Sequence, residues 1–128
     1  MAIDFSLTDE QKLIQETVAA FVDDRVLPVA VQNDIDHKLD MDLVQGMVDL
    51  GILGAPIPTE YGGMGLDFIS EALICEEIER GEAAFRTLIS VHVGLNSLAL
   101  LKYASDEQKQ PVAGAPGHGR EACLLRPD

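Results

Sequence analysis

Four acidic side chains on one segment, Glu71, Glu76, Glu77 and Glu79, form the densest cluster of candidate proton donors and acceptors in the sequence. Paired carboxylates held in unlike environments can give and take protons in one reaction. Spaced along a helix in water, the same residues make a solvated face, and that is the reading adopted for them. Cys75 and Cys123 have no metal-ligand spacing and no secretory context, so they read as ordinary thiols rather than as a zinc site or a disulfide framework. Ser90, His92, Asn96 and Ser97 interrupt an apolar stretch, where buried polar groups need partners or a ligand. A lone His in that setting is more often a satisfied core residue than a catalyst. Gly62, Gly63 and Gly65 do not make a phosphate cradle: no strand precedes them, neither glycine-rich spacing fits, and no Lys-Ser or Lys-Thr follows. Residue types and spacing alone leave the function open.

The elements that position these groups are helical. Thr8 and Gln11 fit a capping box, followed by Leu13, Ile14, Val18, Phe21 and Val22 at the period of one helical face, which predicts a helix over about 8–26. Pro28 disfavours helical geometry at Leu27 but suits the opening of a further turn, predicting a short helix or kinked extension to about Asp34. Asp40 caps a third helix over 41–50, whose Leu43, Val44, Met47 and Val48 form a stripe that stops at Gly51. The punctuation from Ile52 to Asp67 predicts one long loop without regular structure inside it, a length that often carries function. Asp67 caps a helix over 68–80 with Ile69, Ala72, Leu73 and Ile78 inward. From about Ala83 to Tyr103 runs the most apolar segment, predicted to be buried on several sides. Gly94 within it costs about 1 kcal/mol relative to Ala, which suggests a close neighbour, a backbone or a ligand. Ser105 and Gln108 announce a last helix that Pro111 is expected to abort. With no credible strand, the fold class is all-α, an up-and-down-like helical bundle.

Composition narrows the partners. The 128 residues carry 47% hydrophobic and 24% charged side chains, placing the chain among globular proteins. A formal charge of -13 repels polyanions, so nucleic acid is an unexpected partner. No unbroken apolar run approaches the roughly 20 residues of a membrane span, and the N-terminus lacks a signal-peptide pattern, which reads as cytoplasmic. Residues 1–110 hold 7 Lys+Arg against 20 Asp+Glu, so they carry all of the excess charge. The last 18 residues, 111–128, are balanced, rich in Pro and Gly and without periodicity, as in a disordered tail.

The order of these features resembles the acyl-CoA dehydrogenases. The resemblance covers Ile3 to Gln110 and rests on Phe5-Ser6-Leu7-Thr8-Asp9-Glu10-Gln11, on Pro58-Thr59-Glu60-Tyr61-Gly62-Gly63-Met64-Gly65-Leu66-Asp67, on the long apolar helix, and on Ser105-Asp106-Glu107-Gln108-Lys109-Gln110. It implies the family's N-terminal α domain over 1–110, incomplete at its last helix. The implied activity is FAD-dependent α,β-dehydrogenation of an acyl-CoA thioester, in which a glutamate takes the α proton, hydride leaves the β carbon for the flavin, and electrons pass to an electron-transfer flavoprotein. It also implies a homo-oligomer. No residue here matches the family's catalytic base, and no cofactor-binding residue is carried over, so the chain alone is expected to be an inactive fragment without flavin. The apolar helix implies part of the acyl-chain wall, with Ser90, Val91, Gly94 and Leu95 as the candidate lining.

The family continues after this last helix start with a Phe-Gly-Leu-Thr type of segment, absent from the tail as written. With codons chosen among synonyms for Pro111 to Asp128, reading from the second base gives RWLVPQATGEKLACFGLT, the continuation expected of the family. The tail therefore reads as out of frame by one extra base after the Gln110 codon, and His118, Arg120 and Cys123 carry no role. The alternative is a free-standing acidic helical module that binds a partner protein or an acyl carrier through the long loop and the apolar helix.

Overall fold

The computed structural model describes residues 4–113. Helix α1 (Asp9–Phe21) opens on the expected capping box: the Thr8 hydroxyl accepts from the Gln11 amide, and the Gln11 side chain accepts from the Thr8 amide. The chain then widens into a π turn, Val22–Val26, and returns to α geometry in α2 (Leu27–Ile35). Pro28 lies in the first turn of α2, directly after the π turn, where its missing N–H removes one donor from the continuing helical run. Helix α3 (Met41–Asp49) starts at Asp40, whose carboxylate accepts from the Asp42 amide, and stops at Gly51 with φ 75°. That left-handed conformation is the one glycine adopts without steric cost.

The 52–67 segment is less irregular than its punctuation predicts. Single 3₁₀ turns form at Ile52–Gly54 and Thr59–Tyr61, and cross-loop bonds join Met64 N to Gly54 O and Leu66 N to Ala55 O. Prolines and glycines forbid a long helix but not one turn, so the earlier expectation of no regular structure is corrected. Asp67 caps α4 (Phe68–Gly81) by accepting from the Ser70 amide at 2.7 Å. After Gly81 one continuous helical run follows: α5 (Ala83–Ile89), a π segment (Ser90–Leu98) and α6 (Ala99–Tyr103). Helix α7 (Asp106–Ala113) begins with reciprocal Ser105 and Gln108 bonds and continues through Pro111, contrary to the expected abort. Proline's fixed φ is compatible with a helix, its cost being the lost N–H donor and crowding of the preceding turn. Residues 114–128, which hold most of the tail, lie outside the described residues.

The described residues contain no strand, and the architecture is an all-α bundle. Helix α1 packs along α4, and α4 along α5. Val22, Val26, Val44, Met47, Ile78, Phe85, Ile89 and Val93 form the centre of the core. Two inward faces differ from the sequence reading. On α1, Leu13 is exposed while Val18 and Phe21 are buried; on α4, Ile69 and Ala72 are exposed while Ser70, Ile74 and Ile78 are buried. The apolar period is compatible with either side of each stripe, and the choice falls to contacts distant in sequence. Gly81 sets one of these, since a Cβ there would lie 2.8 Å from Val22 Cγ1. Arg80 fixes the same crossing from outside, with Nη1 on Asp23 at 2.8 Å and Nε on Glu77 at 2.9 Å.

Candidate acyl-chain wall

The continuous helix from Ala83 to Tyr103 shapes the open side of the bundle. Phe85, Ile89, Val93 and Ser97, each four residues from the next, point into the core. The opposite side is open, contrary to the prediction of burial on several sides: Val91 is 43% exposed and Leu95 72% exposed. Nothing lies within 4 Å of the position a Cβ would take on Gly94, so the expected close neighbour is absent among the described residues. The run is 21 residues long and, by length and composition, could cross a membrane, which revises the expectation drawn from unbroken apolar runs. One stripe of it is buried in the core, although only 22% of its most apolar window is buried.

Val91, Gly94 and Leu95 are all exposed on this helix, with Val91 and Leu95 on one face. Ser90 sits at its edge, exposed, with its hydroxyl accepting from Arg86 Nη1 at 3.3 Å. Leu95 also borders a cavity of about 710 Å³ between the long loop and this helix, walled by Leu53, Ile57, Tyr61, Leu100 and Tyr103 and reached by His92 and Asn96. The other three candidates do not line it. The size is that of small-molecule clefts, whose walls are largely apolar with a few polar groups. Burial holds the His92 imidazole below its ordinary value, so it is neutral at pH 7 and carries no charge for an acidic group to meet. The sequence placed His92 and Asn96 as interruptions of an apolar helix but gave no sign that the loop faces them.

Two glutamates of α4 are engaged by arginines. Glu77 is bound by Arg80 and faces Gln15, and Glu79 is bound by Arg86. Glu71 is raised above the ordinary carboxylate value by burial, but the described residues supply no partner acid or base for it. Cys75 is pushed up by burial and then by Glu71, the direction opposite to that of a reactive thiolate. No cluster of three or more His, Cys, Asp or Glu suited to a metal ion occurs among the described residues.

The glycine loop, Arg80 and Arg86 offer no free donors to a flavin pyrophosphate. Amides of the glycine loop are spent within the loop: Gly62 donates to Thr59 O, Gly63 to Pro58 O and Gly65 to Ile57 O. A pyrophosphate would find no free cradle there. Arg80 and Arg86 are each committed to carboxylates.

Comparison with known proteins decides the family. The acyl-CoA dehydrogenase, N-terminal domain family matches residues 8–114. The chain belongs to that family. Among relatives of this acyl-CoA dehydrogenase N-terminal domain, a probable acyl-CoA dehydrogenase of Bacillus subtilis is 39% identical over 105 residues, covering 80% of this chain and 17% of the relative. Among solved structures, an electron transferring flavoprotein of Acidaminococcus fermentans, studied towards a mechanism of flavin-based electron bifurcation, superposes with a TM-score of 0.82 at 32% identity. That match covers 89% of this chain and 31% of the other. An acyl-CoA dehydrogenase of Bacillus anthracis complexed with FAD superposes with a TM-score of 0.75 at 36% identity, over 83% of this chain and 18% of that one. The chain thus spans less than a third of the length of each.

Proposed function

We propose that this chain is the acyl-facing N-terminal domain of an FAD-dependent acyl-CoA dehydrogenase, an enzyme that removes hydrogens from the α and β carbons of an acyl-CoA thioester. The observation that carries the reading is the open apolar side of a helix whose other side enters the core, with Val91 and Leu95 exposed and open space at Gly94. An extended hydrocarbon lying there would cover both side chains and meet no Cβ at Gly94, and each buried CH₂ contributes about 0.8 kcal/mol. Ser90 stands at the edge of the same wall. No charged side chain lies between Thr87 and Leu101, which favours a hydrocarbon over a dicarboxylate.

The names of the relatives support the reaction class, and the FAD complex supports the cofactor. The reading assigns the flavin and the catalytic base to other parts of the enzyme. That a chain of this fold occurs in a structure titled for an electron transferring flavoprotein supports such a flavoprotein as partner. A homo-oligomeric assembly belongs to the same reading.

A diazirine at the chain end of an acyl-CoA tests the wall directly. Photolabelling of the 88–98 peptide, suppressed by excess octanoyl-CoA and untouched by CoA alone, is the expected result. Labelling confined to other peptides refutes the wall. The frame reading of the tail has its own test: the nucleotide sequence across the Gln110 codon contains the continuation RWLVPQATGEKLACFGLT in the shifted frame, or that reading is wrong.

A further inference from the structure

The buried stripe of the long helix poses a geometric problem. In an α-helix four residues turn through about 400°, so a stripe repeating every four drifts about 40° per step and leaves the core within a few turns. Phe85, Ile89, Val93 and Ser97 do not leave it. The segment Ser90–Leu98 is a π-helix, whose i→i+5 turn holds more residues than an α turn. Four residues there fall short of a full turn, and the drift of the preceding α segment is reversed. Val91 and Leu95, also four apart, share a face in either geometry; what the correction maintains is that this face stays opposite the buried stripe.

A nine-residue π segment is long for a geometry met mostly as single turns, and needs a local cause. Ser97 supplies one. It is the polar member of the buried stripe, 8% exposed, and its hydroxyl donates to the carbonyl of His92 at 2.9 Å, five residues back. In an α-helix a serine hydroxyl returns to carbonyls three or four residues back. A bond reaching five back matches the widened turn, and a buried hydroxyl without it would be left unsatisfied. Gly94 lies inside the spanned turn and weakens the competing α geometry, being the residue with the poorest helix propensity after proline.

We infer that Ser97 is a positioning residue: its bond to His92 holds the π register that keeps the stripe from Phe85 to Ser97 in the core and so leaves Val91 and Leu95 facing outward. This rests on the acyl-wall reading for its purpose, but not for its geometry.

The test uses the full chain with ¹³C in the His92 carbonyl and ¹⁵N at residue 97, measured by dipolar dephasing in the solid state, where association of the protein does not matter. A π register places the amide of residue 97 opposite the His92 carbonyl and gives strong dephasing; an α register separates them and gives little. Strong dephasing is expected in the parent chain and in Ser97→Thr, which keeps the hydroxyl. Loss of most of it is expected in Ser97→Ala and in Ser97→Cys, a near-isostere with a weak donor. Circular dichroism establishes that each variant retains its helices, and either of the two hydroxyl-free variants suffices for the comparison. Full dephasing in a folded hydroxyl-free variant overturns the assignment, as does its absence in the parent chain. No ligand is present, so a failure of octanoyl-CoA to protect the 88–98 peptide bears on the acyl wall alone.

Discussion

Gln11 and Asp67, at the starts of two different helices, are bonded to each other: Gln11 Nε2 donates to Asp67 Oδ2 at 2.9 Å. Gln11 is buried, and its other side-chain atom closes the capping box with Thr8, while the second oxygen of Asp67 caps α4. Two caps that sequence reasoning treats separately are thus one unit. Gln11→Ala is expected to cost about 1–2 kcal/mol in urea unfolding, more than an isolated exposed cap position would. Gln11→Glu keeps the acceptor for Thr8 but sets a carboxylate against Asp67, so its destabilisation should be larger at pH 7 than at pH 4. Equal loss at both values would remove the coupling.

Stability should pass through a maximum on the acid side of neutrality. Burial, followed by the fields of Asp34 and Asp40, raises Glu82 above its ordinary 4.5, and one of its oxygens is buried without a donor. Burial also raises Glu71. Their charged forms are penalised in the folded state, so stability increases as pH falls through their raised values. The backbone amide of Ser70 lowers Asp67, and the Lys38 side chain lowers Asp40. Their contribution is present above 3.8, the ordinary Asp value, and is lost as pH falls through the lower folded values. Melting temperatures measured from pH 7 to pH 2 should rise and then fall; a steady decline from pH 7 would contradict the assignment of the two glutamates.

Two glycines should respond oppositely to alanine. A Cβ on Gly63 would overlap the Ile57 backbone carbonyl, which has no flexible end to swing away. Gly63→Ala is therefore expected to lose about 1–3 kcal/mol. Gly94 has open space where its Cβ would go, and Gly94→Ala should gain up to about 1 kcal/mol through helix propensity. Chemical denaturation of both variants checks the pair, and a destabilised Gly94→Ala would mean either that a neighbour occupies that space in solution or that alanine disfavours the π register.

The open face should make the chain self-associate at micromolar concentration. Leu95 and Tyr103 are among its exposed large side chains, and contiguous apolar surface of this kind favours association. Leu95→Glu with Tyr103→Glu should increase the monomer fraction in size-exclusion chromatography with little change in melting temperature, since neither side chain is in the core. A monodisperse monomer from the unsubstituted chain would show that the face is not sticky.

What was legible in the sequence was local. The Thr8–Gln11 and Ser105–Gln108 boxes, the Asp40 and Asp67 caps and the Gly51 stop each depend on residues within one turn, and each is found in place. What was hidden depended on distance or on an unusual ladder. Leu13 and Ile69 were assigned inward because the 3.6-residue period has no means of choosing between the two sides of a broad stripe. The π segment was hidden because an i→i+5 ladder leaves no mark in residue types beyond Gly94 and Ser97. As for the candidate wall, Val91, Gly94 and Leu95 are each exposed, whereas the cavity behind Leu95 needed the fold of the long loop, which no periodicity describes.

That loop has one more consequence. Its turns are tied internally by Tyr61 to Pro58, Met64 to Gly54 and Leu66 to Ala55, so its backbone is set before anything docks beside it. Whatever enters the neighbouring cavity meets a stiff bank rather than a closing flap. Selection there falls to the shape of the incomer, and rates of entry should depend on the size of the opening rather than on the opening and shutting of the loop.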